Sequence, residues 1–155
     1  MTSPASTPAL PATTLPTPGA IPGVQLVGDL VAYVPGLRTA YDAHVVCQGR
    51  VQPHVFFWDV VQATVQSYVA DADAGHKGDS HKSDSHKGDG HERADWRRTL
   101  DFLEAQSRRG VAGVDEVIVT SFLGDLPHPH EPGHALVRQL GPVLAARFGR
   151  LRPGG

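Results

Sequence analysis

A chain of 155 residues with 40% hydrophobic side chains and a formal net charge of -2 holds enough material for one compact domain. Acidic and basic side chains are mixed along the body, which gives no basic face for nucleic acid and no cationic stripe for a membrane surface. Cys47 is the only cysteine, so an intrachain disulfide framework and any CxxC zinc or redox motif are excluded.

No apolar run approaches the ~20 residues that a spanning helix needs, and the N-terminus lacks the basic start and apolar centre of a signal peptide. The expected compartment is therefore the reducing cytoplasm. Residues 1–20 are rich in Pro, Thr, Ser and Ala, with Leu10 and Leu15 as the only large apolar side chains after Met1. Two leucines, worth roughly 2–3 kcal/mol each, do not offset about 1–2 kcal/mol of backbone entropy at each of twenty positions. That tail is expected to be disordered.

Order is expected from residue 21 to 150, as an all-α bundle of five or six helices. Leu26, Val27, Leu30, Val31 and Val34 recur at helical spacing until Pro35 interrupts them. Pro35 suits the first turn of a second helix, where its missing N–H costs nothing, and Leu37, Tyr41 and Val45 continue that stripe up to Gly49. From Pro53 onward Phe57, Val60, Val61, Thr64, Val65 and Tyr68 predict a third helix despite their β-branched content. The helical period leaves Asp59, Gln62 and Gln66 together on one solvent side, whereas a strand would place one of Asp59 and Gln62 in the core.

Residues 71–92 read as a low-complexity loop built on a five-residue repeat that carries His76, His81, His86 and His91, and every lysine of the chain lies inside it. Imidazoles and carboxylates suit Zn, Ni or Cu ions, so weak Zn or Ni binding and a metal-buffering role are the alternative to a solvated linker. A five-residue step turns a helix by about 500°, so a shared helical face is excluded and coordination needs a loop that wraps the ion.

A further helix is expected from Glu92 to Ser107, with Trp96, Thr99, Leu100 and Leu103 inward, Glu104 outward, and Arg97 paired with Asp101. The most apolar window follows: Val114, Val117, Ile118, Phe122 and Leu126, widened by Val119 and Leu123, predict a central buried helix with Asp115, Glu116 and Thr120 in water. Pro127, Pro129 and Pro132 then force a loop, and a last helix is expected from near Gly133, bent at Gly141-Pro142, before a frayed end at residues 151–155.

Candidate chemistry is sparse. His128, His130, Glu131 and His134 form a metal-like cluster that departs from HxHxDH because Pro132 and Gly133 interrupt it, with His44 or His54 as a distant fourth ligand or the whole as an ordinary loop. His54 has the residue type of a general base, with Asp59 or Asp42 to orient it, but no GxSxG or phosphate-binding glycine motif accompanies it.

The runs VPGLR (34–38), PHVFFWD (53–59), SFLGDLP (121–127), EPG (131–133) and LGP (140–142) resemble a family of small uncharacterised bacterial proteins, frequent in actinobacteria, whose runs read VPELR, LPHxFFxD, SFLENLP, EPG and LGP. The resemblance implies a compact helical domain and no established activity, and it singles out His54, Asp59, Ser121, Asp125 and Glu131 as motif residues. Gly124 and Asp125 stand where that family has Glu and Asn, and Gln52 where it has Leu. With no catalytic or cofactor motif, the expected function is a non-enzymatic protein-interaction module of the immunity or accessory kind, with another protein as partner.

Overall fold

The structure, a computed structural model, describes residues 21–76 and 93–154. The tail at 1–20 and the repeat histidines His81, His86 and His91 lie outside the described residues. Every regular element described is helical: six α-helices, one π-helical segment and two 3₁₀ turns.

Helix α1 (Pro22–Tyr33) starts on a proline and buries Leu26, Val27, Leu30 and Val31. A 3₁₀ turn at Pro35–Leu37 leads into α2 (Arg38–Gln48), so Pro35 opens this turn and the α-helix begins three residues later. Helix α3 (Pro53–His76) is the longest, and it buries Phe56, Phe57, Val60, Val61 and Thr64. Helix α4 (Trp96–Arg109) begins at Asp95, whose carboxylate accepts the N–H groups of Arg97 (2.9 Å) and Arg98 (3.2 Å), a standard N-cap. Helix α5 (Ala112–Val117) runs on into the π-helical segment Ile118–Leu123, and after a loop and the 3₁₀ turn His134–Gln139 the chain closes with α6 (Pro142–Leu151).

The core lies between α3 and the π-helical segment, where Phe57 and Phe122 meet edge to face at 6.4 Å, both fully buried. Helix α1 covers α5, and α4 packs on both α3 and α6. The expected all-α bundle is thus the architecture observed, with departures in single elements, among them the last helix, which is a 3₁₀ turn at His134–Gln139 followed by α6 from Pro142.

The loop expected from residue 71 begins later, because α3 continues to His76. Asp71 accepts hydrogen bonds from the Trp96 indole (3.0 Å) and the Arg97 guanidinium (2.5 Å), which ties this last polar stretch of α3 to α4. Arg97 therefore pairs with Asp71 and not with Asp101. On the far side of the insert, residues 93–95 are extended and α4 starts at Trp96. The central helix is not one regular α-helix to Leu126: its last turn widens, with the Gly124 N–H bonded to the Val119 carbonyl at 3.0 Å. Leu126 is still buried, but from the loop. Asp115, expected in water, is half-buried and pairs with Arg147 at 2.9 Å. At the C-terminus Leu151 completes α6, and the Arg152 guanidinium donates to the carbonyls of Leu126 (2.9 Å) and Gly124, so the frayed end expected there begins later.

Candidate functional site

Helical spacing on α3 separates two jobs in the PHVFFWD run. Phe56 and Phe57 turn inward, with Phe56 taking the edges of Tyr41 (5.8 Å) and His44 (5.5 Å) from α2. His54 and Trp58, four residues apart and hence about 40° apart around the helix, stay on the exposed side. The entry into α3 is pinned by buried His44, whose Nε2 accepts the Gln52 N–H at 3.1 Å.

His54 Nδ1 stands 2.6 Å from Ser121 Oγ, across 67 residues of sequence, with Thr120 Oγ1 at 3.5 Å. Neither Asp59 nor Asp42 is the partner of this imidazole: Asp42 pairs with Arg38 at 3.2 Å on the same helix. The separation is that of a nucleophile and its base. Access is not, because Ser121 is only 5% exposed, and an acyl or phosphoryl centre has to reach Oγ. What the bond does physically is fasten the start of α3 to the π-helical segment, satisfying a buried hydroxyl.

One helical turn further along α3 the surface opens into a groove of about 310 Å³, lined by Trp58, Val61, Gln62 and Val65 on one side and by Asp125, Pro127, Glu131 and Pro132 on the other. Trp58 is 53% exposed, the most exposed aromatic residue described here. The opposite wall is held by its own backbone. Glu131 Oε2 accepts the His128 N–H (2.6 Å), the Glu131 N–H bonds the His128 carbonyl (2.9 Å), and the His134 Nδ1–H donates to the Pro127 carbonyl (2.9 Å). Gly133 closes this loop at φ 84, the left-handed region, where a Cβ would also run into Val65. Arg152 holds the carbonyls on either side of Asp125 from behind. The Asp125 carboxylate has no hydrogen bond or ion pair among the described residues and faces the groove with Glu131.

The motif residues therefore sort into two neighbouring places. His54 and Ser121 form the buried fastening, Asp125 and Glu131 join Trp58 at the groove, and Asp59, half-buried, lines neither. In the HPHEPGH cluster Glu131 and His134 are engaged by backbone groups, and among the described residues no three His, Cys, Asp or Glu side chains gather as a metal cage. His76 bonds the Ala72 carbonyl of its own helix at 2.9 Å. Trp58 is the residue that sequence reasoning passed over. Its signal was an indole four residues from His54, on the side opposite the buried Phe56 and Phe57.

No family model, curated protein or solved structure matches the chain. Its function has to be argued from this surface.

Proposed function

We propose that the protein is a cytoplasmic, non-enzymatic protein-interaction module of the immunity or accessory kind, and that it holds its partner at the groove between α3 and the Asp125–Pro132 loop. The observation that carries this reading is Trp58, left more than half exposed beside two carboxylates on a wall fixed by backbone hydrogen bonds. An indole standing in water is a common binding anchor, and an aromatic face flanked by carboxylates suits arginine or lysine side chains. Among the described residues no cationic side chain lines the groove. The partner is therefore a protein that presents a basic, extended segment. Three of the runs that resemble the uncharacterised bacterial family, 53–59, 121–127 and 131–133, contribute residues to this surface, and the near-burial of Ser121 argues against a Ser–His hydrolase. Among the described residues no helix is long and apolar enough to cross a membrane.

The test is paired. Immobilised full-length protein should retain a partner from host extract that is lost with Trp58→Ala and with Asp125→Lys, both variants keeping the wild-type melting temperature. Equal retention by these variants, or turnover of hydrolase substrates that disappears in Ser121→Ala, would overturn the reading.

A further inference from the structure

Among the described residues, one stripe of helix α6 borders an open groove. Val143, Ala146, Arg147, Arg150 and Leu151 follow one another at steps of three and one, a single helical stripe, and with Pro142 and Val119 of the π-helical segment they line a groove of about 750 Å³. That volume falls within the range of roughly 300–1,000 Å³ usual for small-molecule sites, and its walls are mostly hydrocarbon. Leu151 remains 41% exposed at its end.

Two guanidinium groups border these walls, and they differ. Arg147 is oriented: its Nη2 donates to the Ser107 carbonyl (3.1 Å) and to Asp115 Oδ2 (2.9 Å), while Nη1 and Nε have no partner among the described residues. Asp115 offsets its charge, and the other carboxylate oxygen, Oδ1, is buried without a hydrogen bond. Arg150 is exposed, and among the described residues it has no ion pair and the groove carries one uncompensated positive charge.

We propose that this groove binds a single-chain amphipathic anion, an alkyl carboxylate or sulfate. The headgroup meets Arg150 and the free N–H groups of Arg147, away from the Asp115 carboxylate, and the chain lies over Val119, Val143, Ala146 and Leu151. A small inorganic anion would leave the apolar walls wet, and a neutral alkane would leave the guanidinium unpaired. The site lies on α6 and does not depend on the Trp58 groove.

The experiment titrates full-length protein with dodecanoate below its aggregation concentration, followed by amide and methyl NMR, with dodecyltrimethylammonium and phosphatidylglycerol vesicles as parallel arms. The expected result is saturable one-to-one binding with shifts at Val119, Val143, Ala146 and Arg150. Loss of one exposed charge-assisted contact in Arg150→Gln should weaken it by up to about fivefold. Ala146→Glu, at an exposed helical position, should abolish binding without moving the melting temperature. Equal binding of the cationic amphiphile, wild-type affinity in both variants, or a response to vesicles alone would overturn the proposal.

Discussion

The Glu104 carboxylate of α4 reaches the N-terminus of α6 and accepts the Leu144 N–H through Oε2 at 3.0 Å, while its Oε1 takes the Val143 N–H at 3.0 Å. Pro142 supplies no N–H, so these are the first orphan donors of α6, and a carboxylate on them gains from the helix dipole as well. Arg108 balances the charge at 3.3 Å. Glu104 is thereby buried, although its position among the polar residues of α4 predicts an exposed side chain. The arrangement requires Gly141, since a Cβ there would lie 2.5–2.6 Å from the Glu104 carboxyl group.

Glu104→Ala should cost about 2 kcal/mol, the sum expected for a lost cap and two donors left in a partly buried place. Gly141→Ala should destabilise in the presence of Glu104 and cost less in the Glu104→Ala background. A double-mutant cycle by urea unfolding measures that coupling, and strict additivity would show that the two sites do not meet.

Asp71 supports an acid-side prediction. The Arg97 guanidinium and the Trp96 indole N–H, both bonded to its carboxylate, hold its pKa below the ordinary carboxylate value. A carboxylate depressed in the folded state contributes stability above its unfolded pKa and loses it as pH falls through the folded value. The Trp96 indole resonance should therefore stay constant at neutral pH and shift on the acid side, with a midpoint below the ordinary carboxylate value. Asp71→Asn should remove that transition.

Phe122 is fully buried against Phe57, so Phe122→Ala should destabilise by about 3–5 kcal/mol. An unchanged melting temperature would mean that the π-helical segment does not carry the core.

Arg152→Ala tests how the groove wall is held. Removing a charged donor from two carbonyls should cost about 1–3 kcal/mol, and amide exchange at Asp125 and Leu126 should quicken more than exchange in α1 or α4. Uniform quickening throughout the chain would assign Arg152 a global role.

The helices were legible in the sequence because their information is local. Apolar residues at three- and four-residue steps identify α1, α3, α4 and α5 wherever they are read, and Pro35, Pro53 and the prolines after Leu126 mark the breaks. The Phe122 core could be approached the same way, since it sits on such a stripe, whereas His54, Ser121, Asp125 and Glu131 were marked by the resemblance of their runs and not by periodicity. What the sequence did not decide is which polar side chains are spent inside the fold. Glu104 looks like any solvent carboxylate until α6 places its N-terminus 39 residues later in the chain, and Arg97 finds Asp71 across the insert and not Asp101 one turn away. His54 meets Ser121 only when α3 and the π-helical segment pack. Hydrophobic burial follows from periodicity because it has no direction, whereas a hydrogen bond depends on a distance and an angle between groups that only the folded chain brings together.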